Sequence, residues 1–217
     1  LNKHLFISKD YSEIEELAVF LNEKGISLIA QSFLHFEPVS FTIEKPFEVI
    51  FFTSPRSVLF FKLLHEIPKN VLIACPGNKT ANLLTELDYS VSFYGTKSGN
   101  INETAVEFKN WCGDKSVLFP TSDRSLQTVS SLFPETQKEI ITVYKTKVVS
   151  KPLEFCDIYV FTSPSNVEGF LALNEIPATA SVYSWGESTT AYLKENNIQV
   201  TQTLENSSVQ DLINLLK

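Results

Sequence analysis

The sequence predicts an α/β protein of two similar domains, each a parallel sheet flanked by helices, joined by a two-stranded β linker. Three observations carry that prediction. Short apolar runs alternate with amphipathic stretches, and strand, helix, strand, helix in this order builds a parallel sheet with both faces covered. The chain also repeats itself. Shifted by 109 positions, Phe52-Thr53-Ser54-Pro55 returns as Phe161-Thr162-Ser163-Pro164, Glu66-Ile67-Pro68 as Glu175-Ile176-Pro177, Gly77 as Gly186, Thr80 as Thr189, Glu86 as Glu195 and Val91 as Val200, with no gap opened. Repetition this sustained marks two copies of one structural unit. Finally, two β-rich stretches, "ISLIAQSFLHFEPVSF" at 26–41 and "EIITVYKTKVVS" at 139–150, exceed an ordinary strand of about five or six residues.

The elements follow in order. "HLFISKD" at 4–10 opens with a strand and is echoed by "VLFPTSD" at 117–123, each followed by a helical pattern and a long β run. The first copy continues through "EVIFF", "SVLFFKLLHEI", "VLIAC", "KTANLLTEL", "VSFY" and "NETAVEFKNW"; the second through "DIYVF", "NVEGFLALNEI", "ASVYSW", "STTAYLKEN", "IQVTQ" and "SSVQDLINLLK". If the two long β stretches pair, the chain starts in one domain, builds the whole of the other and returns. Domain A is then about 1–36 plus 147–217, domain B about 40–143, and the linker strands about 33–41 and 142–150. The alternative is two consecutive domains split near 113.

Composition narrows the function class. A hydrophobic content of 43% with 20% charged residues is that of an ordinary globular chain. No apolar run approaches the roughly 20 residues that cross a bilayer, and "LNKHLFISKDYSEIEELA" lacks a signal-peptide h-region, so a cytoplasmic address with no membrane partner is expected; a monomer is expected as well. Cys75, Cys112 and Cys156 form no C-x-x-C pair and read as buried, inert thiols. The histidines show no ligand spacing, and "HEIPK" at 65–69 has Lys69 where a zinc-binding H-E-x-x-H needs its second His. No metal and no cofactor are expected. A net charge of −7 with pI ≈ 5.1 argues against nucleic acid, which needs a concentrated basic surface. Neither G-x-G-x-x-G nor G-x-x-x-x-G-K-[ST] occurs, which leaves a nucleotide-binding reading weak.

The repeated Thr-Ser-Pro is a strand-to-helix corner, with Ser as N-cap and Pro at the first helical position. In a parallel sheet such corners lie at the carboxyl ends of the strands, where ligands of open α/β sheets sit. The N–H groups after Pro55 and Pro164, with the positive end of the helix dipole, favour an anion. Candidate binding residues are Thr53, Ser54, Arg56 and Ser57 in one copy and Ser163, Ser165 and Asn166 in the other. Three further helix entrances are expected on the same edge. "GNKT" at 77–80 supplies Asn78, Lys79 and Thr80; "GEST" at 186–189 supplies Ser188 and Thr189; "TSDR" at 121–124 supplies Ser122, Asp123 and Arg124. Arg56 and Arg124 are the only arginines in the chain, and a guanidinium clasps a carboxylate in bidentate fashion.

In order and spacing, "FTSPRSV", "GNKTANLL", "TSDRSLQTVSSLFPETQKEIITVYKT", "FTSPSNVEGF" and "GESTTAYL" resemble uroporphyrinogen-III synthase over essentially the full chain. The resemblance implies two flavodoxin-like domains joined by a β ladder. It also implies a cofactor-free reaction on hydroxymethylbilane, a linear tetrapyrrole rich in carboxylates, cyclised with inversion of its last ring and loss of water in haem biosynthesis. Tyr144, in "ITVYKT", matches the family's tyrosine implicated in departure of the leaving group. The pattern departs at the first strand, which ends "ISKD" where the family has Thr-Arg-Pro, and at Thr189-Thr190, where it has Thr-Ala. The competing class is a non-catalytic two-domain binding or sensor protein for a polyanionic small molecule, which the same anion-binding corners suit; assay of the reaction product separates the two.

Overall fold

The structure is a computed structural model and describes residues 3–95 and 100–217. Along the chain lie β1 (His4–Ile7), α1 (Glu15–Glu23), β2 (Ser27–Ala30), β3 (Leu34–Pro38), β4 (Val49–Phe51), α2 (Pro55–Leu64), β5 (Leu72–Cys75), α3 (Asn78–Glu86), β6 (Phe93–Tyr94) and α4 (Ile101–Cys112). They continue with β7 (Val117–Ser122), β8 (Lys138–Val148), β9 (Ile158–Phe161), α5 (Pro164–Leu171), β10 (Ser181–Ser184), α6 (Glu187–Glu195), β11 (Gln202–Thr203) and α7 (Val209–Leu216). Two compact units result: unit 1 is Leu1–His35 with Lys147–Lys217, and unit 2 is Phe36–Thr146.

Unit 1 carries the sheet β11-β10-β9-β1-β2, whose pairs are all parallel. Numbered within the unit, its strands stand in the order 2-1-3-4-5, the flavodoxin-like arrangement. The sheet containing unit 2 is β3-β8-β7-β4-β5-β6, parallel from β8 to β6. If β7 is taken as its first strand and β8 as its second, the same spatial order appears. The copies therefore share an architecture but differ in where the chain enters: unit 2 starts at its third strand and finishes with its first two.

Single strands show why two layers form. In β1, Leu5 and Ile7 face a cluster with Leu17, Leu21, Leu212 and Ile213 of α1 and α7, while Phe6 faces Val167, Phe170 and Leu193 of α5 and α6. In β4, Val49 and Phe51 pack with Phe108 of α4, and Ile50, together with Phe52 just beyond the strand, packs with Val58, Phe61 and Leu84 of α2 and α3. Successive side chains of a strand point to opposite faces, so one continuous apolar run feeds both cores. The copies even end α3 and α6 alike, with Asp88 (φ 63°) and Asn197 (φ 59°) in the left-handed region, a C-terminal geometry that short polar side chains tolerate better than most.

The stretch at 26–41 is two strands, not one. Between β2 and β3 the N–H of Phe33 is taken by Asn166 Oδ1 at 2.8 Å, and that of Leu34 by Ser32 Oγ at 3.2 Å, so side chains replace the sheet ladder there. Beyond the break, β3 runs antiparallel to β8: Val39 N–H donates to the Val143 carbonyl at 3.0 Å and Val149 N–H to that of Phe33 at 2.8 Å, a reciprocal register that only opposed strands give. At the root of this ladder, helix α5 comes close through Gly169, where an added Cβ meets Phe33 Cβ at 2.5 Å.

Cys75, Cys112 and Cys156 are buried free thiols. Burial pushes Cys75 and Cys156 up to about 11 and raises Cys112. The folded chain holds these protons to higher pH than the unfolded chain, so their contribution to stability is complete below the ordinary thiol range and is lost as pH climbs through about 11. Unfolding midpoints are expected to fall between pH 8 and pH 10.5, and Cys75→Ala is expected to shrink that fall; an equal fall in the variant counts against the assignment.

Candidate active site

At the carboxyl edge of unit 2, β4 ends in Phe51 and the chain turns through Thr53 and Ser54 into α2. Thr53 Oγ1 donates to the Pro120 carbonyl at 3.2 Å, tying the corner to β7 at the point where chain order reverses, the usual ligand position in such sheets. Ser54 and Ser57 form a reciprocal capping box: Ser54 Oγ accepts from Ser57 N–H at 3.2 Å, and Ser57 Oγ accepts from Ser54 N–H at 3.1 Å. Ser57 is fully enclosed. Its N–H and hydroxyl are thus spent on the helix start, and the first-turn amide left open is that of Arg56. The Arg56 guanidinium lies 3.9 Å from the Phe36 ring centroid. Its side chain is exposed, and no hydrogen bond or ion pair ties its donors to a described residue.

The "TSDR" segment is not a helix entrance. Strand β7 runs through Ser122, and the chain then makes a turn, the next helical residues being the short Ser130–Leu132 turn. Asp123 explains the difference. Its N–H donates to the Tyr144 carbonyl at 3.2 Å and its Oδ1 accepts from Thr146 N–H at 3.0 Å, so the segment is bound edge-on to β8. Ser122 lies opposite Tyr144 across the ladder, where the register slips between Thr121 and Ser122. Arg124 is exposed at this turn.

Tyr144 is enclosed as a core aromatic of unit 2. Its ring stacks on Phe60 at 5.0 Å and meets Phe36 in a T-shaped contact at 5.9 Å, with 7% of the residue exposed. The hydroxyl bonds to no described residue, yet it is not among groups shut away from solvent without a partner, of which the described residues have none. The hydroxyl of Tyr144 therefore keeps some contact with solvent.

Helices α3 and α6 differ from α2 and α5 in their caps. Gly77 and Gly186 are their N-caps and offer no side chain, which leaves the first amides, those of Asn78 and Lys79 and of Glu187 and Ser188, open to an anion. Both glycines are extended (φ 172° and 179°), a conformation any residue adopts, so backbone strain does not demand them. Asn78, Lys79 and Ser188 are exposed, whereas Thr80 and Thr189 are each 2% exposed. In unit 1, Ser163 Oγ accepts from Asn166 N–H at 3.3 Å, and the buried Asn166 spends its amide on Phe33 N–H and on Ser163. Asn166 is a structural fastener; Ser165 beside it is partly exposed.

The structure thus gathers Thr53, Ser54, Arg56, Ser122, Asp123 and Tyr144 at one edge of unit 2. It adds residues that sequence reasoning missed: Phe36 and Phe60, which read as ordinary strand and helix core, and a pocket of about 230 Å³ lined by Phe51, Thr53, Ile101, Thr121 and residues 125–130. Thr121 and Ser125 flank the "SDR" triplet, which was the available signal for it.

Among known proteins, the family described as uroporphyrinogen-III synthase HemD matches residues 15–214. Of solved structures, a uroporphyrinogen-III synthetase from Helicobacter pylori is similar at TM-score 0.73 and 19% identity, covering 100% of this chain and 98% of that one. A mutant uroporphyrinogen III synthase from Thermus thermophilus is similar at TM-score 0.58 and 12% identity, covering 99% and 97%. At these identities the structures show a shared fold; no curated protein sequence matches. Among the described residues no helix is long and apolar enough to cross a membrane. With the family match spanning all but the chain's two ends, and the fold agreeing throughout, the chain belongs to the uroporphyrinogen-III synthase family.

Proposed function

We propose that this chain cyclises hydroxymethylbilane to uroporphyrinogen III, with carboxylates of the substrate held at the helix starts and Tyr144 assisting departure of the terminal hydroxyl. The observation that carries the reading is the Arg56, Phe36, Tyr144 cluster: a cation with unspent donors and a phenol with an accessible hydroxyl, set by one group of rings. The hydroxyl of the hydroxymethyl group takes a proton from solvent and leaves as water when its C–O bond breaks, giving an electrophilic azafulvene cation; the proton lost at the end of the reaction returns to solvent. Attack by the substituted carbon of the last ring forms a spiro intermediate, whose cleavage and reclosure invert that ring before a proton is lost. Tyr144 helps by a hydrogen bond from its hydroxyl that strengthens as the oxygen departs.

Folding the linear substrate so that its ends meet supplies an orientation effect that reaches roughly 7 to 11 kcal/mol in favourable cases. Protein and substrate are both net negative, so long-range steering is unfavourable and affinity rests on local groups. We assign these to the side chains of Arg56, Lys79 and Arg124, to the open amides of α3 and α6, and to hydroxyls such as Ser188. We place the enzyme in the cytoplasm as a monomer. Incubation with hydroxymethylbilane and resolution of the product isomers tests the function: the III isomer above the spontaneous I background is expected, and the I isomer alone overturns it.

A further inference from the structure

The two copies treat the same helix face differently. By the 109-residue shift, Phe60 of α2 corresponds to Gly169 of α5, Ser57 to Asn166, and Arg56 to Ser165. In unit 1, α5 holds its linker strand by a buried hydrogen bond from Phe33 N–H to Asn166 Oδ1 and by close packing at Gly169. In unit 2 the corresponding contact is made of rings: Phe60 stacks on Tyr144, Tyr144 meets Phe36 edge-on at 5.9 Å, and Phe36 carries the Arg56 guanidinium at 3.9 Å. The aromatic version does something more, because it ends in an arginine that bonds to no described residue.

We propose that Phe36 is a positioning residue for the cyclisation, orienting the carboxylate-binding guanidinium of Arg56 and the phenol of Tyr144 relative to each other. The half-buried Phe36 ring anchors the guanidinium, whose carbon lies 3.9 Å from the ring centroid, while its fork of N–H donors stays available to a planar carboxylate. The same ring packs against Tyr144 in a T-shaped contact at 5.9 Å, so a substrate carboxylate docked on Arg56 stands at a set distance from the departing hydroxyl. This assignment rests on the proposed roles of Arg56 and Tyr144.

The test is steady-state kinetics on hydroxymethylbilane with Phe36→Leu, Phe36→Tyr, Arg56→Gln and the double variant Phe36→Leu/Arg56→Gln, with melting curves for each. Phe36→Leu is expected to raise KM several-fold to about tenfold, the range that loss of a cation–π contact supports, and to lower kcat. Phe36→Tyr, which keeps the ring, is expected to restore both, and Phe36→Leu is expected to change KM less than about twofold once Arg56 is Gln. Equal impairment by Leu and Tyr, or the full Phe36→Leu effect on KM without Arg56, overturns the proposal. If Arg56→Gln and Tyr144→Phe impair the enzyme while Phe36→Leu does not, this inference alone fails; if those two leave the kinetics unchanged, the reading beneath it fails. Should Phe36→Leu not fold, ring-current displacement of the Arg56 side-chain proton resonances in the unaltered protein is expected, and its absence overturns the proposal.

Discussion

Tyr144→Phe is expected to lower kcat by at least about tenfold while leaving KM and the melting temperature nearly unchanged. The Tyr144 ring is held by Phe36 and Phe60, and a phenylalanine keeps both contacts. The hydroxyl it removes bonds to no described residue, and deleting a polar group without an internal partner leaves nothing orphaned, so a stability change beyond roughly 0.5 kcal/mol is not expected. What is lost is a donor to the departing oxygen, and positioned proton donors contribute typically about 10²–10⁴-fold to rate. Steady-state kinetics with a parallel melting curve separate the two effects. An unchanged kcat sinks the assignment of Tyr144 and leaves orientation of the substrate as the source of catalysis.

Much of the fold is legible in the sequence because parallel sheets write themselves as apolar runs. Leu5-Phe6-Ile7 and Val49-Ile50-Phe51 are fully buried, as a strand covered on both faces requires, where a half-exposed strand alternates. The Thr-Ser-Pro corners are legible too, since an apolar run followed by Ser-Pro can hardly do anything but end a strand and start a helix. Less visible is how a cap spends its atoms. The same Ser-Pro start that marks an anion site also closes it: Ser54 and Ser163 occupy the amides of Ser57 and Asn166, while the less conspicuous Gly77 and Gly186 leave theirs open. "TSDR" reads as a helix start because Ser and Asp are good caps, but Asp123 instead caps the backbone of β8 through Thr146, a partner 23 residues away that local pattern does not reveal. Phe36 and Phe60 are invisible for a similar reason: an aromatic residue in a strand or helix reads as core until its neighbours prove to be a guanidinium, as for Phe36, or the phenol of Tyr144, as for Phe60.

The glycines of the two copies offer a contrast that stability and activity measurements resolve. Ordinarily, replacing a glycine inside a helix with alanine gains up to about 1 kcal/mol. At Gly169 the sign is expected to reverse. The new methyl meets Phe33 Cβ at 2.5 Å and Val148 Cγ1 at 2.9 Å, and Phe33 Cβ is the root of a fully buried side chain whose N–H is pinned by Asn166, so neither the ring nor the strand yields cheaply. Overpacking of this kind costs about 1–3 kcal/mol, and for a chain of this size each kcal/mol moves the melting temperature by roughly 2–4 °C. Gly169→Ala is thus expected to lower the melting temperature by about 2–12 °C. Gly77→Ala is the counterpart. There the nearest atom to a new methyl is the Gly95 carbonyl oxygen at 3.8 Å and the backbone is extended, so the fold accepts it. The methyl instead stands before the open amides of α3, and the expected result is a raised KM for hydroxymethylbilane with a melting temperature lowered only by the loss of a glycine N-cap, about 1 kcal/mol or roughly 2–4 °C. A Gly169→Ala protein as stable as its parent refutes the packing argument, and a Gly77→Ala enzyme with unaltered KM removes the α3 amides from the binding site.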